Sequence, residues 1–307
     1  MAVLVAVSVS APNAVLGGPV IGQYELKTLD SAPGAFEFQS QNAWSWGEPP
    51  RQVAATGPGD LVVDDNDIIS ARYALELEIG ITRHFKTRIG IEFEKEQLDE
   101  PPSLDQVNDF DDLKLADAGI EFIGILVPRD GDGAGLGVVA EFEGPPDHSE
   151  PNNLTLGPIV EFQSGSWFAA AVPMLVYQFG GHVDPGEKVD DKWDFAYAAQ
   201  LMYEFTPAWA LAVEGYGTVE RIGDSGNPAE AARLFGDFEQ HRIGVVLYYS
   251  YEFAGTPRVA AGPAPGALSD AGEGGEGRSL TIGLGLLEGL NNETPDHTIK
   301  LSIEVHF

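Results

Sequence analysis

Residues 192–220 read KWDFAYAAQLMYEFTPAWALAVEGYGTVE. Trp193, Phe195, Tyr197, Ala199, Leu201, Tyr203 and Phe205 take every second position, with Asp194, Ala196, Ala198, Gln200, Met202 and Glu204 between them. A helix scatters such a set around its axis, whereas a strand puts the whole set on one face. Trp209, Leu211, Val213, Gly215, Gly217 and Val219 repeat the pattern against Ala210, Ala212, Glu214, Tyr216, Thr218 and Glu220. Only Thr206, Pro207 and Ala208 separate the two runs, which marks a tight hairpin turn.

The same alternation extends along the chain and predicts about twelve strands: 36–47, 71–82, 85–96, 113–127, 134–143, 154–163, 166–179, 192–206, 209–221, 239–253, 278–288 and 297–307. Many of these run well past the ~5–6 residues favoured by soluble sheets. A tilted membrane-spanning strand needs about 9–11. Short spacers at Arg83–His84 and Gly165 alternate with long polar links at 48–70, 97–112, 144–153, 180–191 and 222–238. Short turns at one rim and long loops at the other are the pattern of outer-membrane barrels, and an even strand count puts both chain ends on the short-turn side. Residues 254–277 break the rule as a long Gly-, Ala- and Pro-rich link on that side.

The two faces differ in chemistry. Tyr73, Leu75, Leu77, Ile79 and Ile81 share one face with lipid in prospect, while Arg72, Glu76, Glu78 and Thr82 share the other. Phe85, Ile89, Ile91 and Phe93 oppose Lys86, Arg88, Glu92 and Glu94 in the next strand. In the tenth, His241, Ile243, Val245, Leu247, Tyr249, Tyr251 and Phe253 oppose Arg242, Gly244, Val246, Tyr248, Ser250 and Glu252. Backbone polar groups in a bilayer must all be satisfied within the protein, so a sheet crossing it must close. The expected fold is therefore all-β, a closed antiparallel transmembrane β-barrel of about 12 strands over residues 35–307. Trp44, Trp46, Trp167, Tyr177, Phe179, Trp193, Tyr203, Phe205, Trp209 and Tyr251 gather near strand ends, as interfacial girdles do. A soluble sandwich is the competing fold, but its wide faces need cover. The one short helical candidate, Pro228–Phe235, falls in a long link.

Composition narrows the classes. Lys plus Arg is 17 against 48 Asp plus Glu, a formal charge of −31. That argues against nucleic-acid binding, which needs a concentrated basic footprint. Cysteine is absent, so disulfides, thiolate nucleophiles and Cys-ligated metals are excluded. Met1–Leu16 is too short for a convincing membrane helix and no later stretch approaches 18 uncharged apolar residues, which excludes a helical membrane protein. Residues 1–34 have three readings: a truncated signal, a plug or strand segment of the mature protein, or a flexible leader. Met1–Leu16, MAVLVAVSVSAPNAVL, has the apolar character of a signal but lacks a basic start.

The last strand, HTIKLSIEVHF over 297–307, alternates Ile299, Leu301, Ile303 and Val305 up to a terminal Phe307. It resembles the C-terminal assembly signal of Gram-negative outer-membrane β-barrel proteins. The resemblance covers about residues 35–307 as architecture and patterning. It implies residence in the Gram-negative outer membrane, contact with outer-membrane lipids, and the barrel assembly machinery as a partner that reads Phe307. The chain also resembles uncharacterised proteobacterial outer-membrane proteins grouped with hydrocarbon-pathway transporters, although no diagnostic motif carries that likeness.

The inner face so assigned is acidic: Glu37, Glu76, Glu78, Glu92, Glu94, Asp117, Glu121, Glu141, Glu143, Glu161, Asp194, Glu204, Glu214, Glu220, Glu252 and Glu304. Its bases are Arg72, Lys86, Arg88, Arg242 and Lys300. Carboxylates are costly in hydrocarbon, which supports their inward placement. Two uses compete. The charges satisfy one another in a filled barrel, as in a structural or adhesion protein. Alternatively, acidic walls attract positive solutes and the barrel is a passive, cation-preferring channel for small solutes. The channel is the functional expectation, with no cofactor.

Other features are weaker. Acidic clusters at Asp60, Asp64, Asp65 and Asp67, at Asp105, Asp109, Asp111 and Asp112, and at Glu187, Asp190 and Asp191 offer hard oxygen ligands but lack the spacing of a helical calcium loop. Solvated loop charge explains them, and the Asp130–Gly133 run reads as a turn; no metal site is assigned. A barrel hydrolase needs a positioned base and nucleophile. His84, His148, His182, His241, His297 and His306 fall in turns, links or strand ends, and no HExxH or GxSxG segment is present. An enzyme is not expected.

Overall fold

The computed structural model describes residues 25–47, 51–57, 60–64, 69–97, 113–129, 131–146, 151–180, 190–226, 239–253 and 278–307. Fourteen strands appear among them. They are β1 (Phe36–Trp46), β2 (Arg51–Gly57), β3 (Asp60–Asp64), β4 (Ile69–Thr82), β5 (Phe85–Gln97), β6 (Lys114–Val127) and β7 (Gly133–Gly144). The second half holds β8 (Asn152–Ser164), β9 (Trp167–Phe179), β10 (Lys192–Thr206), β11 (Trp209–Val219), β12 (His241–Glu252), β13 (Ser279–Gly289) and β14 (His297–His306).

Twelve of these form one closed barrel, in which each strand pairs antiparallel with its chain neighbour and β1 pairs with β14. All twelve match the strands expected from alternation, with ends shifted by at most three residues. The one addition is the β2–β3 hairpin, which lies inside the link expected over 48–70 and leaves β1 to pair with β4. The proposed 254–277 link and the Pro228–Phe235 helical turn lie outside the described residues. So do residues 1–24.

Side-chain alternation now has a cause on each face. Leu201, Leu211, Val213, Val245, Leu247, Leu284 and Leu286 are exposed on the outer surface of β10–β13. A closed sheet leaves no unpaired backbone edge, so this apolar belt suits a bilayer. Aromatic pairs mark both rims. Trp167–Tyr203 and Trp209–Tyr249, each with centroids 4.8 Å apart, sit on the rim that carries the short β8–β9 and β10–β11 turns. Tyr177–Trp193 at 4.6 Å and Trp44–Tyr73 at 6.0 Å sit on the other. The molecule is a transmembrane β-barrel of the outer-membrane type.

Candidate functional site

Residues 25–32 run inside the barrel. Their entry is set by Ala32-Pro33-Gly34-Ala35, where Ala35 N–H bonds the Ala32 carbonyl at 3.1 Å. Pro33 presets the first corner and Gly34, with φ 84°, takes the second, where a side chain would be strained. This reversal turns the chain from β1 back into the bore. Gly34 N–H bonds the Gly80 carbonyl (2.8 Å), Gly80 N–H bonds the Ala35 carbonyl (3.0 Å), and Ser31 Oγ donates to the Thr82 carbonyl (2.7 Å). Inner-face glycines make room for the segment. A Cβ at Gly80 would collide with the Ala32 carbonyl oxygen, and one at Gly135 would stand 2.8 Å from Leu29 Cδ1.

Above the turn, the segment meets side chains of two chemical kinds. On β4–β7, Arg88 pairs with Glu78 (2.8 Å), with Glu25 of the segment, and at longer range with Glu76 (3.6 Å) and Glu121 (3.8 Å). Lys27 reaches Glu121, Glu25 (3.2 Å) and Glu141 (3.6 Å). Lys86 pairs with Glu78 (2.9 Å) and donates to Thr28 Oγ1 (3.3 Å). Leu29 N–H bonds Glu161 (2.8 Å), whose other oxygen takes the Arg129 Nε–H (3.2 Å). The segment thus supplies one carboxylate, one ammonium and one amide to a wall that is otherwise mostly acid.

Apolar side chains adjoin this group and continue around the barrel. Leu29 packs into Ile123, Ile125 and Val139 of β6 and β7, and into Ile159, Val172, Met174 and Val176 of β8 and β9. Leu26 lies against this cluster and against two others, one built around Phe168, Met202, Val246 and Tyr248 and one around Ala198, Tyr216 and Leu287. One polar knot interrupts these apolar side chains. Glu214 accepts from Lys300 (2.7 Å), Tyr216 (2.5 Å), Gln200 (2.7 Å) and Tyr248. Between segment and wall remains a polar cavity of about 20 Å³ that Glu25, Thr28, Glu37, Gln39, Gln200 and Glu304 help to line. It has room for about one water.

The expected inner residues fall into separate groups. Glu76, Glu78, Glu141, Glu161, Lys86 and Arg88 are buried and meet around the N-terminal segment. Arg72 holds Glu92 (3.0 Å) and Glu94 (3.1 Å) apart from that group. Glu143 is buried and accepts from Asn153 (3.2 Å), and buried Arg242 donates to Gln240 (2.6 Å). Glu214 anchors the polar knot. Glu204 is half-buried, and Glu252 is exposed at the rim. Phe307 is exposed and its N–H bonds the Phe36 carbonyl at 2.9 Å.

Sequence reading missed Glu25, Lys27, Leu29, Arg129 and Lys192, all buried. Lys192 pairs with Asp194 (3.2 Å) and Glu220 (2.8 Å). The Pro33-Gly34 dipeptide was the available signal that the chain doubles back. Of the acidic link clusters, Asp191 accepts from Tyr177 (2.5 Å). Asp65, Asp67, Asp105, Asp109, Asp111, Asp112, Asp130 and Glu187 lie outside the described residues, as do His148 and His182. His241 meets Tyr197 (3.0 Å), His297 meets Glu288 (2.7 Å), and His84 meets the Ile125 carbonyl (3.1 Å).

No family model matches the chain, and no curated protein matches its sequence. Solved structures do match. An outer-membrane channel from Pseudomonas putida F1 superposes with a TM-score of 0.54 at 12% identity, over 90% of this chain and 96% of that one. The NanC porin gives 0.47 at 9% identity, over 88% and 98%. The P. putida toluene transporter TodX gives 0.39 at 9% identity, over 96% and 97%. The first likeness establishes a shared fold; the other two are too loose to carry an argument.

Proposed function

We propose that this protein is a passive outer-membrane channel for small solutes, cation-preferring, with its bore closed at rest by residues 25–32. The observation that carries this reading is the composition of the interior. Among the described residues, eleven carboxylates are buried against seven Lys and Arg. A scaffold barrel has little need of such an interior, because replacing buried ion pairs with packed apolar side chains is often neutral or stabilising. Lys27 sits where a permeant cation would, between Glu121 and Glu141. Withdrawal of the segment removes that ammonium and the Leu29 amide, and leaves Glu121, Glu141 and Glu161 to attract a positive solute.

The channel seen in P. putida with the same fold supports the class of function; the preference for cations rests on the wall charges alone. The reading includes assembly: the Phe307 ring is exposed beside the β1–β14 seam, where the barrel assembly machinery would engage it.

Planar-bilayer recordings under a salt gradient test selectivity. The reversal potential should lie toward the cation value, and should move toward zero when Glu76, Glu78, Glu92 and Glu94 become Gln. An anion-side potential contradicts the proposal, and an unchanged one removes these carboxylates from the mechanism.

A further inference from the structure

We propose that Glu37, Glu304 and His306 form a divalent transition-metal site that clasps the seam where the barrel closes. Glu37 and His306 stand opposite each other across β1 and β14, and Glu304 lies two residues before His306 on the same inner face. One ligand atom from each falls within 4.8 Å of the others. Around a tetrahedral ion with bonds of about 2.0–2.2 Å, ligand atoms stand about 3.3 Å apart, so side-chain rotation closes the set. One imidazole with two carboxylates is a donor set for a zinc-class ion that keeps an open position.

Charge favours a dication there. His306 already meets both carboxylates, Nδ1 to Glu37 at 3.3 Å and Nε2 to Glu304 at 2.6 Å. Asp30 of the inner segment lies within electrostatic reach of the same ring. Two carboxylates therefore flank a single imidazole, and a third adds its field. The strand bases around it are committed elsewhere: Lys86 and Arg88 to Glu78 and, for Arg88, Glu25, and Lys300, which lines the same cavity, to Glu214.

Unpartnered acceptors point the same way. Gln39 is only 6% exposed, stands opposite Glu304 in register, and gives its amide N–H to Glu37. Its Oε1 is buried with no hydrogen-bond partner, as is Asp30 Oδ1. Buried oxygens without donors are costly, and a bound cation or its water satisfies them. Gln39, Glu37 and Glu304 also line the small polar cavity. An ion here joins the first strand of the barrel to the last.

The test uses the full chain, folded in detergent and stripped with a chelator, titrated calorimetrically with Zn²⁺. Wild type should bind one equivalent, and Glu37→Gln, Glu304→Gln and His306→Gln should each weaken binding at least tenfold. His297→Gln breaks the His–Glu288 pair at the far rim and should leave binding unchanged. Zn²⁺ should also raise the temperature at which the folded band is lost on gels, in wild type and not in Glu304→Gln. No Zn²⁺ binding by wild type, or binding equal in wild type and the folded seam variants, overturns the proposal. If the seam variants do not fold, Co²⁺ decides on wild type: visible bands of a nitrogen–oxygen site support the assignment, and their absence overturns it.

Discussion

Val213 and Leu247 stand on the outer face of neighbouring strands, each more than two-fifths exposed. Arg at either position puts a charge in hydrocarbon and should cost about 2–4 kcal/mol near the bilayer midplane. Gln200 lies on the inner face, its amide on Glu214 at 2.7 Å, so Arg there meets a carboxylate. Reversible unfolding in lipid should show a clearly smaller penalty for Gln200→Arg than for Val213→Arg or Leu247→Arg. Equal penalties would contradict the two-faced assignment. Inner carboxylates such as Glu76, Glu78 and Glu92 were legible from sequence because their outer neighbours are apolar, which exposes the period of two. Ile123, Ile125, Val172 and Met174 were not, because inner and outer faces are both apolar there and the period disappears. Lys27 and Arg129 were invisible for another reason: their partners are distant in sequence or their residues lie outside any strand.

At the scale of elements, strands were the most legible part of the chain. Long alternating runs with short turns leave little freedom in where pairing begins and ends. The inner segment was not so marked, since residues 25–30 are too few to declare a period. Its seating depends on Gly80, where a Cβ would strike the backbone of Ala32. Gly80→Ala should therefore keep the barrel folded while unseating the segment, and bilayer recordings should show a higher open probability than wild type. An unchanged open probability with a folded barrel would show that the segment tolerates this displacement. Phe307 closes the β1–β14 seam with a backbone bond to Phe36 and presents an exposed ring. Deleting it should reduce the folded protein recovered from outer membranes of expressing cells and leave refolding in detergent largely intact. Equal recovery would remove Phe307 from assembly.

For the whole molecule, the distribution of chemistry follows from the barrel itself. Closure puts the apolar stripes against lipid and the carboxylates inside, and the reversal at Pro33-Gly34 places the start of the described chain in the bore. The interior then holds ionic and apolar clusters side by side, bridged by Glu25, Leu26, Lys27 and Leu29. Sequence patterning reached the barrel and the sign of its inner charge. It did not reach the bridge, which exists only once the strands close around it.

The chain's lack of cysteine allows a direct test of that bridge. A Cβ at Gly135 would stand 2.8 Å from Leu29 Cδ1, so cysteines at these two positions reach one another. Single-channel recording of the Leu29→Cys, Gly135→Cys protein, folded in a planar bilayer, should show no conductance when oxidised. Reduction should bring openings with a cation-side reversal potential. Equal conductance in both states would contradict closure by the segment, and silence of the reduced, folded protein would contradict a channel.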